Sequence, residues 1–342
     1  MVNMYRVVSI LLICFCLNAT GQEFESFCAQ YDVLSTIAGK GKIREKSKNG
    51  WESKFEGKEA IKAELSRPHF AMADRAGNIF IADKDANAIR KIDINGIITT
   101  VAGNGKLGFS GDGLATECRL SRPNGIWVQP NGTVFILDLG NDRIRKLDLK
   151  GQLITVFEDK KGISIGRGLY VNASEDSIFY CCNSEIRLWV KGKSPKTFSS
   201  SFSSLGNIVM NRTNELIATD RTKGSVYKIE MDGNKTLIAG KGTKHVVDGK
   251  NPLKEVRGVW PLEKGAYLLA CHAGSKLWYL DSSGMLFEFL DGKDDHSHKG
   301  DGEHFQSKGN KVSEVRSVSI DHQGNIIICE NDYGYIRKIR RK

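Results

Sequence analysis

Residues 96–148 decide the fold: they read GIITTVAGNGKLGFSGDG over 96–113 and LATECRLSRPNGIWVQPNGTVFILDLGNDRIRKLD over 114–148. This stretch and the residues just after it contain four short segments rich in Ile, Val, Leu and Phe, each followed by a turn of Gly, Asn, Asp or Pro. Four short antiparallel strands per unit are typical of one propeller blade, and a blade needs neighbours to cover both of its faces. The predicted strands are 124–129, 133–138, 143–148 and 152–157.

Degraded copies of this unit recur along the chain and can be aligned on their second strand. Each copy is followed by a third-strand copy, such as AIRKID at 88–93 or YIRKI at 335–339. Six copies predict six blades. The second-strand copies are AGNIFIAD (76–83), GTVFILD (132–138), DSIFYCC (176–182), TNELIATD (213–220), GAYLLAC (265–271) and GNIIICE (324–330).

The two ends of the chain predict how the ring closes. The chain stops after the third strand of the sixth copy, whereas VLSTIAG at 33–39 matches the fourth strand IITTVAG at 97–103. We expect this N-terminal strand to complete the last blade, because closure pairs edges that would otherwise be open. The predicted fold is all-β, a six-bladed propeller of four-stranded antiparallel blades in one domain over 22–342. The expected blades are 67–102, 123–157, 166–199, 206–239, 257–290 and 315–340 with 33–39.

The motif TVAGNGKLGFSGDG, with RPNGI after it and then a strand ending in Asp138 before NDRIRK, resembles the NHL-repeat family of six-bladed propellers. The likeness extends over nearly all of the chain after residue 21 and is most specific in the first two blades. The resemblance implies the propeller fold and a role in recognition. It implies no single activity, because propellers carry binding and catalysis alike.

The first 21 residues, MVNMYRVVSILLICFCLNATG, have the features of a secretory signal peptide. Arg6 precedes an apolar run over 7–17, which is too short to span a bilayer comfortably, and small residues lie near 19–21. No later segment reads as transmembrane. We therefore expect a secreted or periplasmic protein whose mature chain begins near Gln22.

The formal net charge of +10 and the pI of about 9.1 favour acidic partners. Export argues against nucleic acid as a partner, which leaves anionic glycans or anionic surfaces. Lys and Arg are nevertheless spread over every repeat, which also fits a solvated surface with no acidic partner.

Six cysteines follow the signal segment, and an even number in an exported protein permits disulfides without defining their pairing. Four N-glycosylation sequons fall on predicted turns, at Asn131, Asn172, Asn211 and Asn234.

The first residues of the innermost strands mark the mouth of the central channel, where a ligand would meet them. Arg167 and Arg257 face Cys182 and Cys271 at the positions where other blades carry a carboxylate, so we predict an anion site with these two arginines as its leading donors. The alternative is that the arginines bond to neighbouring carbonyls or to acids of the next blade. The six aligned positions are His69, Asn124, Arg167, Gly206, Arg257 and Arg316, and the supporting ligand-binding residues are Arg316, His69 and Asn124.

The carboxylates at the ends of the second strands are expected to cap the turns that follow them rather than to catalyse a reaction. They are Asp83, Asp138 and Asp220.

The histidines of DDHSHKGDGEH at 294–304 could bind zinc or copper, but a solvated loop is the better interpretation. Arg67-Pro68-His69 resembles one zinc position of the peptidylglycine amidating lyases, yet the other aligned positions lack two ligands. We therefore predict no metal and no cofactor.

These observations predict a monomeric, exported propeller that acts as a binding module, with its ligand on the loop face at the channel mouth. A protein, an anionic glycan or a carboxylate-bearing molecule is the expected ligand. The alternative is a propeller lyase or hydrolase that holds an anionic substrate on the channel arginines and uses His69 as general base or metal ligand. A third interpretation is a secreted scaffold.

Overall fold

The computed structural model describes residues 21–42, 45–243, 251–292, 300–307 and 312–342. The first strands in chain order are β1 (Tyr31–Ala38), β2 (Lys58–Glu59), β3 (Pro68–Ala73), β4 (Ile79–Asp83), β5 (Ala88–Ile92), β6 (Ile97–Ala102), β7 (Gly113–Leu114), β8 (Pro123–Val128), β9 (Val134–Asp138), β10 (Arg143–Leu147) and β11 (Gln152–Glu158). They are followed by β12 (Leu169–Val171), β13 (Ser177–Cys182), β14 (Glu185–Val190), β15 (Lys196–Ser199), β16 (Leu205–Met210), β17 (Leu216–Asp220), β18 (Ser225–Ile229), β19 (Lys235–Ala239), β20 (Val256–Pro261), β21 (Tyr267–Cys271), β22 (Lys276–Leu280), β23 (Leu286–Leu290), β24 (Val315–Ile320), β25 (Ile326–Glu330) and β26 (Tyr335–Arg341).

These strands form six antiparallel sheets, so the six-bladed propeller predicted from the repeats is confirmed. Blades 1 to 5 consist of β3–β6, β8–β11, β12–β15, β16–β19 and β20–β23, and blade 6 consists of β24–β26 with β1. The short strands β2 and β7 extend blades 1 and 2 at their outer edges. The innermost strands contact one another in chain order around the ring, from β3 to β24 and back to β3.

Helices are short in the described part of the chain. One covers residues 21–28, and single 3₁₀ turns lie at Ser53–Phe55, Ala60–Lys62, Lys84–Ala86, Leu139–Asn141 and Glu263–Gly265. Among the described residues, no helix has the length and apolar character needed to cross a membrane.

The N-terminal strand closes the ring, as the sequence predicts. β1 pairs antiparallel with β26, placing Leu34 opposite Ile339 and Ala38 opposite Ile336. The Leu34 side chain is fully buried in the core between blades 5 and 6. First and last strands of the propeller therefore share one sheet, and the edge of β26 that would otherwise be exposed is paired.

The second strand of each blade is buried on both faces. In β4 and β9 every residue is buried, because a neighbouring blade covers each side of the sheet. This explains why segments such as IFIAD and VFILD read as continuous apolar runs rather than as alternating ones. The hydrophobic core consequently lies between the blades.

The acids that end the second strands were expected to cap the turns after them, but Asp83 and Asp138 make no side-chain cap hydrogen bond to the 3₁₀ turns that follow. Asp83 and Asp138 accept the backbone N–H of Ser66 at 2.5 Å and Ser121 at 2.7 Å, just before the innermost strand of the same blade. Each acid also lies beside a fully buried arginine of the third strand. The pairs are Asp83–Arg90 in blade 1, Asp138–Arg145 in blade 2 and Glu330–Arg337 in blade 6.

The cysteines of the described chain are all free and buried, so the disulfides that their even number permits are not formed among them. Burial raises the pKa of the Cys28 and Cys181 thiols to about 12. At neutral pH these side chains behave as small apolar groups of the core rather than as nucleophiles.

Candidate functional site

A β-bulge directs the second residue of four innermost strands, β3, β8, β20 and β24, toward the axis. Arg167 lies two residues before β12, whose pairing with β13 has no register shift. In β3 the pairing passes from Pro68–Asp83 to Phe70–Ala82, which leaves His69 as the extra residue. The same register shift leaves Asn124, Arg257 and Arg316 unpaired in β8, β20 and β24. The sequence analysis placed these residues opposite the last residue of the second strand, which is an acid in blades 1, 2 and 6 and Cys271 in blade 5. In the structure the preceding residue takes that position, and the bulged side chain is free to face the channel.

All five residues of the predicted ligand site line one small cavity at this end of the channel. The cavity has a volume of about 10 Å³, close to that needed for one water molecule. Gly206, the aligned position in blade 4, has no side chain to contribute, and its neighbour Asn207 reaches the cavity instead. The complete lining is His69, Phe70, Asn124, Arg167, Asn207, Arg257 and Arg316.

Arg167 is the least neutralised cation of this ring. Among the described residues its only hydrogen bond is a long one, from Nη1 to the Ile165 carbonyl oxygen at 3.4 Å, and it forms no ion pair. Its Nε atom is buried without a hydrogen-bond partner. Burial, followed by the positive charges of Arg221 and Arg257, lowers the pKa of Arg167 to about 10. Arg167 therefore brings to the site a positive charge that no ion pair with a described residue neutralises.

Arg257 and Arg316 have closer partners than the sequence analysis expected. Arg257 donates from Nη2 to Glu255, an acid of its own chain segment, so the loss of a carboxylate at Cys271 is offset in blade 5. Arg316 donates from Nη2 to Asn331 Oδ1 at 2.9 Å. The Nε atoms of both arginines are nevertheless buried without a hydrogen-bond partner. Each thus keeps one donor for an incoming acceptor.

His69 and Asn124 contact each other rather than presenting two donors to a ligand. His69 Nδ1 hydrogen-bonds to Asn124 Oδ1, and Asn124 Nδ2 donates to the Gly166 carbonyl oxygen at 2.5 Å. Burial and the nearby Lys84 lower the pKa of His69 well below its ordinary value, so the ring is neutral at pH 7. With its proton on Nδ1, the ring offers an acceptor at Nε2, which is buried and without a hydrogen-bond partner.

Aromatic side chains close the channel below the arginines. Trp127 and Trp260 lie three residues further along β8 and β20, about 10 Å below the bulges. Their rings stack with centroids 6.5 Å apart, and Tyr170 packs against Trp127 at 4.7 Å. Blades 2 and 5 are opposite in a six-bladed ring, so this contact crosses the axis. The arginine end is consequently a closed pocket rather than an open pore.

Charged side chains surround the mouth above this pocket. His272 follows β21, Glu255 and Glu314 precede β20 and β24, and Asp332 follows β25. Burial and the neighbouring Glu314 carboxylate raise the pKa of Asp332 to about 6. Arg67 also belongs to this rim, and its Nη2 lies 3.4 Å from Asp332 Oδ1.

Sequence reasoning missed this rim and also missed Asn207. The available signal was the alignment itself, since Glu255 and Glu314 lie two residues before the bulge in their blades, and His272 comes directly after its second strand. His296 and His298 of the histidine-rich loop lie outside the described residues. His304, at the end of that loop, forms a bridge with Val33 on the outer strand.

Comparison with protein families yields no matching family model. Curated relatives match only part of the chain: SUPPRESSOR OF QUENCHING 1 of Arabidopsis thaliana is 35% identical over 103 residues, and human teneurin-1 is 34% identical over 104 residues. These matches cover 29% and 26% of the chain and 10% and 4% of the relatives. The chain thus spans a small fraction of the length of the curated relatives that it matches.

Solved structures share the propeller fold at low sequence identity. A Bacteroides thetaiotaomicron protein of unknown function has a TM-score of 0.68 at 16% identity, covering 91% of this chain and 76% of its own. An auxiliary nutrient binding protein from Bacteroides ovatus has a TM-score of 0.66 at 13% identity, covering 92% and 78%. A streptogramin B lyase has a TM-score of 0.58 at 13% identity, covering 82% and 95%. The same architecture therefore occurs in proteins named for binding and for catalysis.

Proposed function

We propose that this protein is a binding module that captures an anionic group, a carboxylate or a sulfate, in the arginine-lined pocket at the mouth of the propeller channel. One observation carries the proposal. Arg167 places a half-buried guanidinium in the pocket with a buried Nε that has no hydrogen-bond partner, and no ion pair compensates it among the described residues. An anion there would supply the missing acceptor and would relieve the repulsion from Arg257.

The dimensions of the pocket limit what can enter it. A cavity of about 10 Å³ holds one small group, so only the anionic head of a larger ligand fits between the arginines. The rest of that ligand would lie above the ring, against the loops of the same face. This arrangement supports a ligand that projects a terminal carboxylate or sulfate, such as an acidic peptide end or an acidic glycan.

The proposal is tested by measuring the thermal midpoint of the purified chain with acetate, sulfate, and carboxylated or sulfated sugars. A ligand that binds only the folded protein raises the midpoint, and Arg167→Ala/Arg257→Ala should abolish that shift. Arg75→Ala is the matched control, because Arg75 is exposed in the turn after β3 at the opposite end of the blades. The parent shift should also shrink as ionic strength rises.

Equal shifts in the parent and in the double variant, or none with any anion, would contradict the anion site. Circular dichroism of the double variant separates loss of binding from loss of folding. A shift that Arg75→Ala removes as effectively would indicate a general charge effect rather than binding in the pocket.

Two further parts of the proposal concern the family and the location of the protein. The GNGKLGFSGDG…RPNG…NDRIRK motif and the Asp–Arg pairs of blades 1, 2 and 6 support assignment to the NHL-repeat propellers. The apolar segment at 7–17 supports export through a signal peptide over 1–21, to the cell exterior or the periplasm, with one propeller domain after it. N-terminal sequencing of protein recovered from the medium or periplasm tests both the cleavage site and the export.

The enzymatic alternative depends on the His69 Nε2 acceptor, which faces the same pocket as the arginines. A general base there would remove a proton from a substrate held by Arg167. His69→Gln should abolish turnover but retain ligand binding in that case. A binding module should show no turnover of any captured ligand and should keep its affinity in His69→Gln.

A further inference from the structure

The rim of the channel contains a cluster whose geometry is that of a metal centre. One ligand atom each of His272, Glu314 and Asp332 lies within 4.8 Å of the others. The distance between His272 Nε2 and Glu314 Oε2 is 3.2 Å. Metal–ligand bonds of about 2.0–2.2 Å separate neighbouring ligand atoms by roughly 3.0–3.5 Å, so this pair already spans one edge of a coordination polyhedron.

The histidine is oriented as metal-binding histidines are. Its Nδ1 lies 3.3 Å from Glu255 Oε2, the same carboxylate that Arg257 holds. When Nδ1–H donates to Glu255, the lone pair of Nε2 is directed at the Glu314 carboxylate. Nε2 is buried and has no hydrogen-bond partner. A carboxylate behind the ring and an unsatisfied nitrogen in front of it match the carboxylate–histidine–metal arrangement.

The exposure of the three side chains and the charges around them are also consistent with a bound cation. The side chains of His272, Glu314 and Asp332 are 15%, 18% and 24% exposed, so an ion can enter from the mouth. Glu255 forms an ion pair with Arg257, Arg67 lies beside Asp332, and the Glu314 carboxylate faces the imidazole. One nitrogen and two carboxylate oxygens suit Zn²⁺ or Mn²⁺ better than Ca²⁺ or Cu⁺.

We infer that His272, Glu314 and Asp332 bind a divalent transition-metal ion at the rim of the channel, with Glu255 positioning the His272 ring. This goes beyond the anion-binding function and does not depend on it, since none of the three ligands lines the arginine pocket. If both sites are occupied, an ion at the rim would present a second positive charge to a ligand whose anionic head lies on Arg167.

The test is calorimetric titration of the chelator-treated chain with ZnCl₂ and MnCl₂ alone. One ion per chain should bind, and His272→Gln and Glu314→Gln should each weaken the affinity at least tenfold. His322→Gln is the matched control, because His322 lies in the turn after β24 at the far end of the blade. His296→Gln/His298→Gln removes two of the three histidines of the 294–304 loop and should leave the one-to-one binding unchanged.

The positioning role of Glu255 can be tested separately, by the metal affinity and the Co²⁺ spectrum of one variant. Glu255→Gln should weaken the affinity about 10- to 100-fold, as loss of a carboxylate behind a ligating histidine does. The visible spectrum of bound Co²⁺ should stay the same in this variant, because its ligands are intact, and should change in His272→Gln. A structural role of Glu255 alone would not combine lower affinity with an unchanged spectrum.

Binding that survives both His272→Gln and Glu314→Gln, or no binding by the parent, would overturn the inference. The His272 ring would then only link the Glu255 and Glu314 carboxylates, from which its nitrogens lie 3.3 and 3.2 Å. Asp332→Asn provides a second variant if either substitution prevents folding, and its affinity should fall in the same way. Because no carboxylate or sulfate is present and neither arginine is changed, the outcome is separate from that of the Arg167→Ala/Arg257→Ala experiment.

Discussion

Among single residues, Asp138 shows how burial shapes the response of this propeller to pH. Its carboxylate is fully buried, and it accepts from the Ser121 N–H at 2.7 Å and from Asn141 Nδ2 at 2.7 Å. Burial nevertheless dominates and raises the pKa of Asp138 to about 6. The folded protein therefore binds a proton at Asp138 more tightly than the unfolded chain does.

The sign of the resulting pH dependence follows from this upward shift. The stability contributed by protonated Asp138 is fully present below about pH 4, near the pKa of an unfolded Asp, and is lost as pH rises through about 6. Asp138→Asn should remove roughly 1–3 kcal/mol of this dependence in urea denaturation at pH 4, 5, 6 and 7. An unchanged profile would contradict the assignment.

Asp93 provides a control of opposite sign for this experiment. It is exposed, and the Ile97 N–H lowers its pKa, so its contribution is lost as the pH falls rather than as it rises. Asp93→Asn should therefore leave the loss of stability between pH 4 and pH 7 in place.

The element that recurs most clearly is the pair of second and third strands joined by a buried ion pair. In blade 1, Arg90 Nε lies 3.2 Å from Asp83 Oδ2, and the guanidinium lies 3.7 Å from the Trp51 ring centroid. Blade 3 carries Cys182 at the acid position, and its Arg187 turns to Asp159 at 2.5 Å instead. The arginine of the third strand thus forms an ion pair in blade 3 even though the second strand of that blade has no acid at its end.

Arg90→Leu should destabilise the protein by about 3–5 kcal/mol, because it leaves the Asp83 carboxylate buried without its cation. Chemical denaturation measures the change. Lys91→Leu, on the adjacent and partly exposed position, should stay within about 0.5 kcal/mol of the parent. Asp83→Asn/Arg90→Leu should recover part of the loss, and a double variant as unstable as Arg90→Leu alone would indicate that packing on Trp51 dominates.

The whole molecule depends on a closure made between its two ends. β1 belongs to blade 6, where Leu34 packs in the core and its N–H donates to the Glu303 carbonyl oxygen at 3.0 Å. Because the ring is continuous, weakening this strand weakens the contact between the first and last blades as well as one sheet.

Leu34→Ala should lower the free energy of unfolding by about 2–5 kcal/mol, as for other fully buried leucines. Val33→Ala, at a partly exposed position of the same strand, should cost much less. Removal of residues 21–38 should leave the edge of β26 unpaired and produce oligomers in size-exclusion chromatography. A stable monomer after this truncation would show that closure by β1 is dispensable.

The strands, the six blades and the strand that closes the ring could all be predicted from the amino-acid sequence. Those features depend on a period of two, on turn residues and on internal repetition, all of which are local and can be read within a few dozen residues. The alignment also brought His69, Asn124, Arg167, Arg257 and Arg316 to one level of the channel, where the structure has them lining a single cavity.

The partners of those side chains could not be predicted from the sequence, because they depend on how the strands and blades pack. The bulges moved His69, Asn124 and Arg316 one position away from the acids expected opposite them, and Glu255 took the place of the carboxylate missing beside Arg257. The rim cluster joins His272 to Glu314 and Asp332, which belong to different blades. Such contacts depend on the register of paired strands and on the spacing of neighbouring blades, and neither is encoded in the local period of the chain.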